Sequence, residues 1–225
     1  MKQAIRLSLV GFLLVAPWRM ALAAEHNFAK WENEITGFEH QDATNPPPKG
    51  AVLFIGSSTV RLWRTLAQDF PEHHVINRGF GGSEILDSTH FAERIIFPYE
   101  PRAIFLRAGG NDINAGRRPE QVFDDFKEFV AKVHAKLPKT EILFISLSPS
   151  VSRWKNAEKE KTLNTLVEAF AKQAPRVKYI ETYAMSLGPD GQPRPELFIA
   201  DQLHFNADGY KLLAERVRPF LPKTP

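Results

Sequence analysis

The sequence predicts an α/β fold: a five-stranded parallel sheet with helices on both faces. Three observations predict it. Short runs of continuous apolar residues recur along the chain, as strands buried on both faces require. Segments with apolar residues three and four apart stand between those runs and read as amphipathic helices. Glycine-rich and polar turns follow several of the runs, and open parallel sheets carry their functional groups outside the carboxyl ends of the strands. Crossovers in such a sheet are right-handed.

The elements follow in order. Phe28, Trp31, Ile35 and Phe38 share one helical face, and the Pro-rich stretch at 45–50 breaks that helix. Residues 51–55 are the first strand, running into Gly56-Ser57-Ser58-Thr59, and 60–70 the helix after it. Residues 74–77 are a short second strand leading to a glycine-rich loop with Gly79, Gly81 and Gly82. A helix at 84–96 stops before Pro98. Residues 103–106 are the third strand, followed by Gly109-Gly110-Asn111-Asp112. Pro119 opens a helix over 119–137, with Val122, Phe126, Phe129, Val130 and Val133 on one face. Strand four covers 141–146, a helix 158–174, strand five 177–180, an irregular loop 188–202, and a last helix 206–220.

Composition narrows the function. The 225 residues carry a net charge of +3. Lys2, Arg6 and Arg19 stand in residues 1–23, which hold no acid; without them 26 basic residues balance 26 acidic ones. No basic stripe remains to neutralise phosphates, so nucleic acid is not the expected partner. Residues 1–23 read as a secretory signal peptide: a basic start, an apolar core too short to span a bilayer, and Ala21-Leu22-Ala23 as a small-x-small cleavage site. The mature protein is therefore expected to be exported, to a bacterial periplasm or beyond, with no stable membrane anchor. Residues 24–50 form an N-terminal helix and entry loop, and 51–225 a single domain. The absence of cysteine excludes a thiol nucleophile, disulfides and lipid attachment at the cleavage site.

The loops suggest chemistry. A serine hydroxyl is a weak nucleophile and needs a base, and Ser57 and Ser58 both sit at the turn after strand one. Of seven histidines, His26 and His40 lie before the sheet, His73 and His74 enter strand two at the wrong end, and His90 and His134 lie within helices. Only His204 stands in a late loop, with Asp201 three residues before it. An aspartate there can hold the imidazole tautomer and stabilise the imidazolium formed during attack. The oxyanion that attack creates needs preorganised donors: the N–H groups of Ser58 and Gly82 and the Asn111 amide can supply them.

These blocks resemble those of the SGNH hydrolases, the GDSL-type lipases and esterases. Gly56-Ser57-Ser58 is similar to the family's first block, Asn77 and Gly82 to its second, Gly109-Gly110-Asn111-Asp112 to its third, and Asp201 to His204 to its last. The resemblance spans 56–204 in the family's order. It implies a flavodoxin-like three-layer sandwich, Ser58 rather than Ser57 as nucleophile, Asp201 and His204 as its triad partners, and an oxyanion hole of Ser58, Gly82 and Asn111. It implies no metal or organic cofactor. The departure is Ser57, where the family usually has Asp; a local hydrogen bond from Ser57 is expected to support the turn instead.

Competing motifs fail. Gly79 and Gly81 lack the third glycine of a dinucleotide fingerprint, because residue 84 is Glu84. Val60 breaks the G-x-S-x-G elbow. Ser152 and Lys155 match S-x-x-K without its companion motifs. Phe80, Arg153 and Trp154 are candidate substrate contacts, and Arg107 is expected to buttress the site through an ion pair. The expected substrate is a small-molecule ester, with small acyl or acetyl groups and lysophospholipid- or sugar-ester-like alcohols. The absence of a long lid mildly favours small or soluble esters over bulk lipid. Two other activities fit the same blocks: acyl transfer to a sugar or cell-wall alcohol, and ligand binding without catalysis.

Overall fold

The structure, a computed structural model, describes residues 26–223. The expected signal peptide at 1–23 lies outside the described residues. A 3-10 turn at Phe28–Trp31 leads into α1 (Glu32–Thr44). Then come β1 (Val52–Gly56), α2 (Ser58–Arg61), α3 (Leu66–Asp69), β2 (Val75–Gly79), α4 (Ile85–His90), α5 (Ala92–Ile95) and β3 (Ala103–Arg107). The chain continues through α6 (Gly110–Asn114), α7 (Pro119–Lys136), β4 (Glu141–Ile145), α8 (Ala157–Ala171), β5 (Val177–Ile180) and α9 (Ala207–Val217).

The five strands pair in parallel in the order β2-β1-β3-β4-β5. Both sides of the sheet are covered, and the period-two alternation of a strand divides its residues between them. Leu53, Ile55, Ile104, Leu106, Ile142 and Phe144 join a core with Trp31 and Ile35 of the N-terminal segment and the apolar stripes of α7 and α8. Val52, Phe54, Phe105, Leu143, Ile145 and Ile180 face the opposite way, against Trp63, Phe70 and the inner face of α9. This is the three-layer α/β sandwich expected. The order reverses direction beside β1, between β2 and β3, and a crevice opens there at the carboxyl ends.

Two expected helices are broken. The segment at 60–70 forms α2 and α3 with a turn between them. Trp63 sits in that turn, is buried against Phe54, Phe70 and Tyr210, and donates its indole N–H to Asp69 Oδ2 at 2.7 Å. A continuous helix would trade that burial for one more hydrogen-bonded turn. The segment at 84–96 divides at buried Phe91. The short helix α6 is an addition, entered through Gly109 at φ +115°.

Candidate active site

Ser58 is positioned by the shortest route the fold offers. β1 ends at Gly56, whose φ is +139°, and a Cβ there would lie 2.1 Å from the Arg107 carbonyl oxygen. Only glycine lets the chain turn so close to β3. Ser57 then donates its backbone N–H to Arg107 O at 3.1 Å, and its carbonyl accepts from Val60 and Arg61 at 3.0 and 3.1 Å. Among the described residues the Ser57 hydroxyl does not make the expected capping hydrogen bond; the backbone supports the turn instead. Two further groups hold it. Asn77 donates through Nδ2 to Val60 O at 2.7 Å and accepts from Gly79 N–H at 2.9 Å. Tyr210 of α9 donates its hydroxyl to Thr59 O at 2.9 Å.

His204 approaches from the far end of the chain. Residues 198–205 form a hairpin-like excursion, with Phe198 and Phe205 bridged and Ile199 N–H donating to His204 O at 2.8 Å. Asn206 ends it by accepting from Asp208 N–H and Gly209 N–H at 3.0 and 3.1 Å, capping α9. His204 Nε2 lies 2.9 Å from Ser58 Oγ and Nδ1 lies 2.6 Å from Asp201 Oδ2. Asp201 Oδ1 also accepts from the Leu203 and His204 N–H groups at 2.9 and 3.0 Å. Desolvation would raise this carboxyl, but the His204 and Leu203 hydrogen bonds outweigh it and hold it at about 2. It is ionised at neutral pH, as a partner for a protonating imidazole must be. Three of the other histidines are occupied elsewhere: His26 reaches Asp87 at 2.7 Å, His90 stacks on Phe28, and His134 meets Thr140 O at 3.1 Å.

The three expected donors lie on the loops after β1, β2 and β3. Ser58 begins α2, where the first N–H groups of a helix lack intrahelical acceptors. Gly82 has φ +78°, and a Cβ there would lie 3.2 Å from the Trp31 ring. Trp31 thus packs directly under this turn, a contribution from the N-terminal segment that no motif announces. Asn111 lines a cavity of about 60 Å³ together with Ser58, His204, Arg107, Arg153 and Glu160. Gly82 stands outside that lining.

Of the three candidate substrate contacts, one reaches this cavity. Phe80 does not: it is fully buried, edge-on to Trp31 and Phe91 in the core. An aromatic side chain in a glycine-rich turn is here the plug beneath the turn. Trp154 is exposed and outside the cavity lining. Arg153 lines it and donates through Nη1 to Asn111 Oδ1 at 2.9 Å. Arg107 is buried, but its expected ion pair is replaced by hydrogen bonds to the Ser146 carbonyl, Thr182 Oγ1 and Ser148 Oγ. The nearest carboxyl it senses, Glu160, is buried with Oε2 unpartnered among the described residues, and burial pushes it up to about 7 against the pull of Arg107 and Arg153. Burial likewise lowers Arg107 to about 10.

A second carboxylate lies behind Asn111. Asp112 is fully buried, accepts from Ile85 N–H at 3.2 Å, and leaves Oδ2 unpartnered among the described residues. Burial, with the nearby Glu84 charge, pushes it up to about 7, while Ile85 and Arg117 oppose the shift.

The model of the GDSL-like Lipase/Acylhydrolase family matches residues 52–212. No curated protein matches the sequence. Among solved structures, a Streptococcus pneumonia protein provisionally described as a platelet activating factor superposes with a TM-score of 0.77 at 21% identity, covering 86% of this chain and 94% of that one. A GDSL-like lipase from Bacteroides thetaiotaomicron gives 0.72 at 20%, covering 86% and 98%. An acetylxylan esterase from Geobacillus stearothermophilus gives 0.62 at 15%, covering 76% and 94%.

Proposed function

The chain belongs to the GDSL-like lipase/acylhydrolase family, and from that premise we propose that it is an exported serine esterase for short acyl esters. The observation that carries the reading is the unbroken relay from Asp201 through His204 to Ser58, at 2.6 and 2.9 Å. Ser58 Oγ attacks the ester carbonyl carbon as His204 Nε2 takes its proton. The charge that develops on the carbonyl oxygen is met by the Ser58 and Gly82 N–H groups and the Asn111 amide. His204 then returns the proton to the departing alcohol oxygen, leaving an acyl group on Ser58. Water, deprotonated by the same imidazole, releases the acid. Asp201 stays ionised throughout and stabilises the imidazolium.

The short-acyl reading rests on the cavity beside Ser58. Its volume is about 60 Å³ and its walls carry guanidinium, carboxyl and hydroxyl groups. Leu147, Phe198, Leu203 and Phe205 complete the lining, and the small volume suits an acetyl-sized group better than a long acyl chain. A sugar acetate is the substrate we favour, since a structural relative is described as an acetylxylan esterase. Export rests on the leader at 1–23, and cell fractionation with and without those residues tests it.

The first experiment is fluorophosphonate labelling with p-nitrophenyl acetate kinetics. Ser58→Ala should abolish labelling and lower kcat by about 10⁶-fold, the scale of nucleophile loss in serine hydrolases, in a folded protein. Ser57→Ala should label normally. The reverse pattern would overturn the nucleophile assignment. A panel of acetyl, butyryl and octanoyl esters should show activity falling with chain length.

A further inference from the structure

An amide can serve an oxyanion only through its nitrogen, and the two ends of Asn111 are close to equal in size. Which end faces the substrate must be fixed by neighbours that can only donate or only accept. Asn111 has one of each. The Ser83 carbonyl, an acceptor, receives a hydrogen bond from Nδ2 at 2.9 Å. The Arg153 guanidinium, a donor at every nitrogen, gives one to Oδ1 at 2.9 Å and touches the Gly110 carbonyl at 3.4 Å. Reversing the amide would set N–H against N–H on one side and oxygen against oxygen on the other. The second hydrogen on Nδ2 is left for a ligand.

We propose that Arg153 is a positioning residue of the oxyanion hole: it fixes the Asn111 amide and polarises it, rather than gripping the substrate. The proposal rests on the esterase reading above. Arginine stays cationic under all working conditions, and a cationic donor on the amide oxygen makes the amide N–H a stronger donor. No carboxylate lies in salt-bridge contact with Arg153 among the described residues, so its charge is not cancelled at the contact. Arg153 is carried on the loop after β4. Ser152 of that loop donates its N–H to the Gln202 carbonyl at 3.1 Å, beside Asp201. Asn164 of α8 pins its start by accepting from Leu147 N–H and donating to Leu147 O, both at 2.9 Å. One loop therefore braces the oxyanion amide and abuts the loop of the base. The Ser83 bond likewise ties Asn111 to the residue after Gly82.

The test is a double-mutant cycle on p-nitrophenyl acetate hydrolysis, with Arg153→Met, Asn111→Ala and the double variant. Thermal melting checks that each is folded. Asn111→Ala should lower kcat by roughly 10²–10³-fold, the usual loss of one oxyanion donor. Arg153→Met should lower kcat by about 10- to 100-fold, within the coupling range of hydrogen-bonded neighbours, with KM changed by less than about 3-fold. The double variant should be no worse than Asn111→Ala alone to within about 3-fold. Arg153→Lys, which keeps the charge and one donor, should recover part of the loss, and it replaces Arg153→Met in the cycle if that variant does not fold. Multiplying losses, or a raised KM at unchanged kcat, would make Arg153 a substrate contact and overturn the proposal. Wild-type kcat in Asn111→Ala would overturn it as well. The esterase reading itself is judged separately, by Ser58→Ala.

Discussion

Asp201 and Asp112 stand beside two of the candidate site residues, His204 and Asn111, and the fold treats them in opposite ways. Asp201 is 44% exposed at its side chain, yet it is held at about 2. Asp112 is 0% exposed and is pushed up to about 7. Exposure alone would separate them, but the donors around them widen the gap. Asp201 meets two backbone N–H groups and an imidazole. Asp112 meets one backbone N–H, leaves an oxygen unpartnered among the described residues, and faces Glu84. The D-x-x-H carboxylate is held charged by its donors, as the proposed reaction requires. The carboxyl after Asn111 is built into the protein's interior, where charge is a cost.

Breaking Asp201 should give the larger effect on catalysis. Asp201→Asn keeps the shape but offers His204 Nδ1 the wrong tautomer partner, and kcat should fall by about 10⁴-fold, as in other serine triads. A loss below about 10-fold in p-nitrophenyl acetate turnover would show that the relay does not run through this carboxylate. On stability Asp201 should matter little. Its depressed carboxyl contributes above the ordinary value of 3.8, and that contribution is lost as pH falls through about 2, but exposure screens it.

Asp112 should invert the pattern. Its folded value lies above its ordinary value of 3.8, so the native state holds the extra proton and stability falls as pH rises from about 4 to about 7. Glu160 adds a slope of the same sign over its own range, from 4.5 to about 7. Asp112→Asn, a neutral isostere, should flatten the decline in melting temperature between pH 4 and pH 8 while leaving the Glu160 part. Hydrolysis should stay within about 10-fold of wild type, since Asn111 keeps its own partners. An undiminished slope in Asp112→Asn would mean that Asp112 is ionised throughout.

The sheet was legible because β1, β3 and β4 are built on the apolar runs at 52–55, 103–106 and 142–145, and burial on both faces demands them. The placement of Ser58, Asn111 and His204 around one cavity, with Asp201 on His204, was legible because each follows a strand or closes the last loop, and each is a residue type with a chemical task. Helices were less so: Trp63 and Phe91 leave the helical path to reach the core, and a local period cannot register a partner on another strand. Phe80 misled for the same reason. Nothing adjacent to it in sequence reveals that Trp31 closes over it. Tyr210 on Thr59 and Arg153 on Asn111 join residues from distant loops, and such pairs exist only after the crossovers bring the strand ends together.

The smallest effect should come from Glu84, and it sharpens the comparison most. Burial is the larger cause of the raised Asp112 value, and the Glu84 charge is the next. Glu84→Gln removes that charge while retaining an acceptor for the Asp87 backbone N–H, so the cap of α4 survives. The variant also frees Arg117, now 3.5 Å from Glu84 and 3.8 Å from Asp112, to act on the remaining carboxylates. Both changes favour ionised Asp112. The upper end of the stability decline should therefore move to lower pH by about one unit or less, the scale of a single like charge in a partly screened interior, with kcat unchanged to within about 2-fold. Melting curves from pH 4 to pH 8 read this directly. An upward shift is incompatible with like-charge repulsion. No shift would leave burial as the sole reason that Asp112 holds its proton, and the gap between the two aspartates would then come from access to water and from the donors around Asp201 alone.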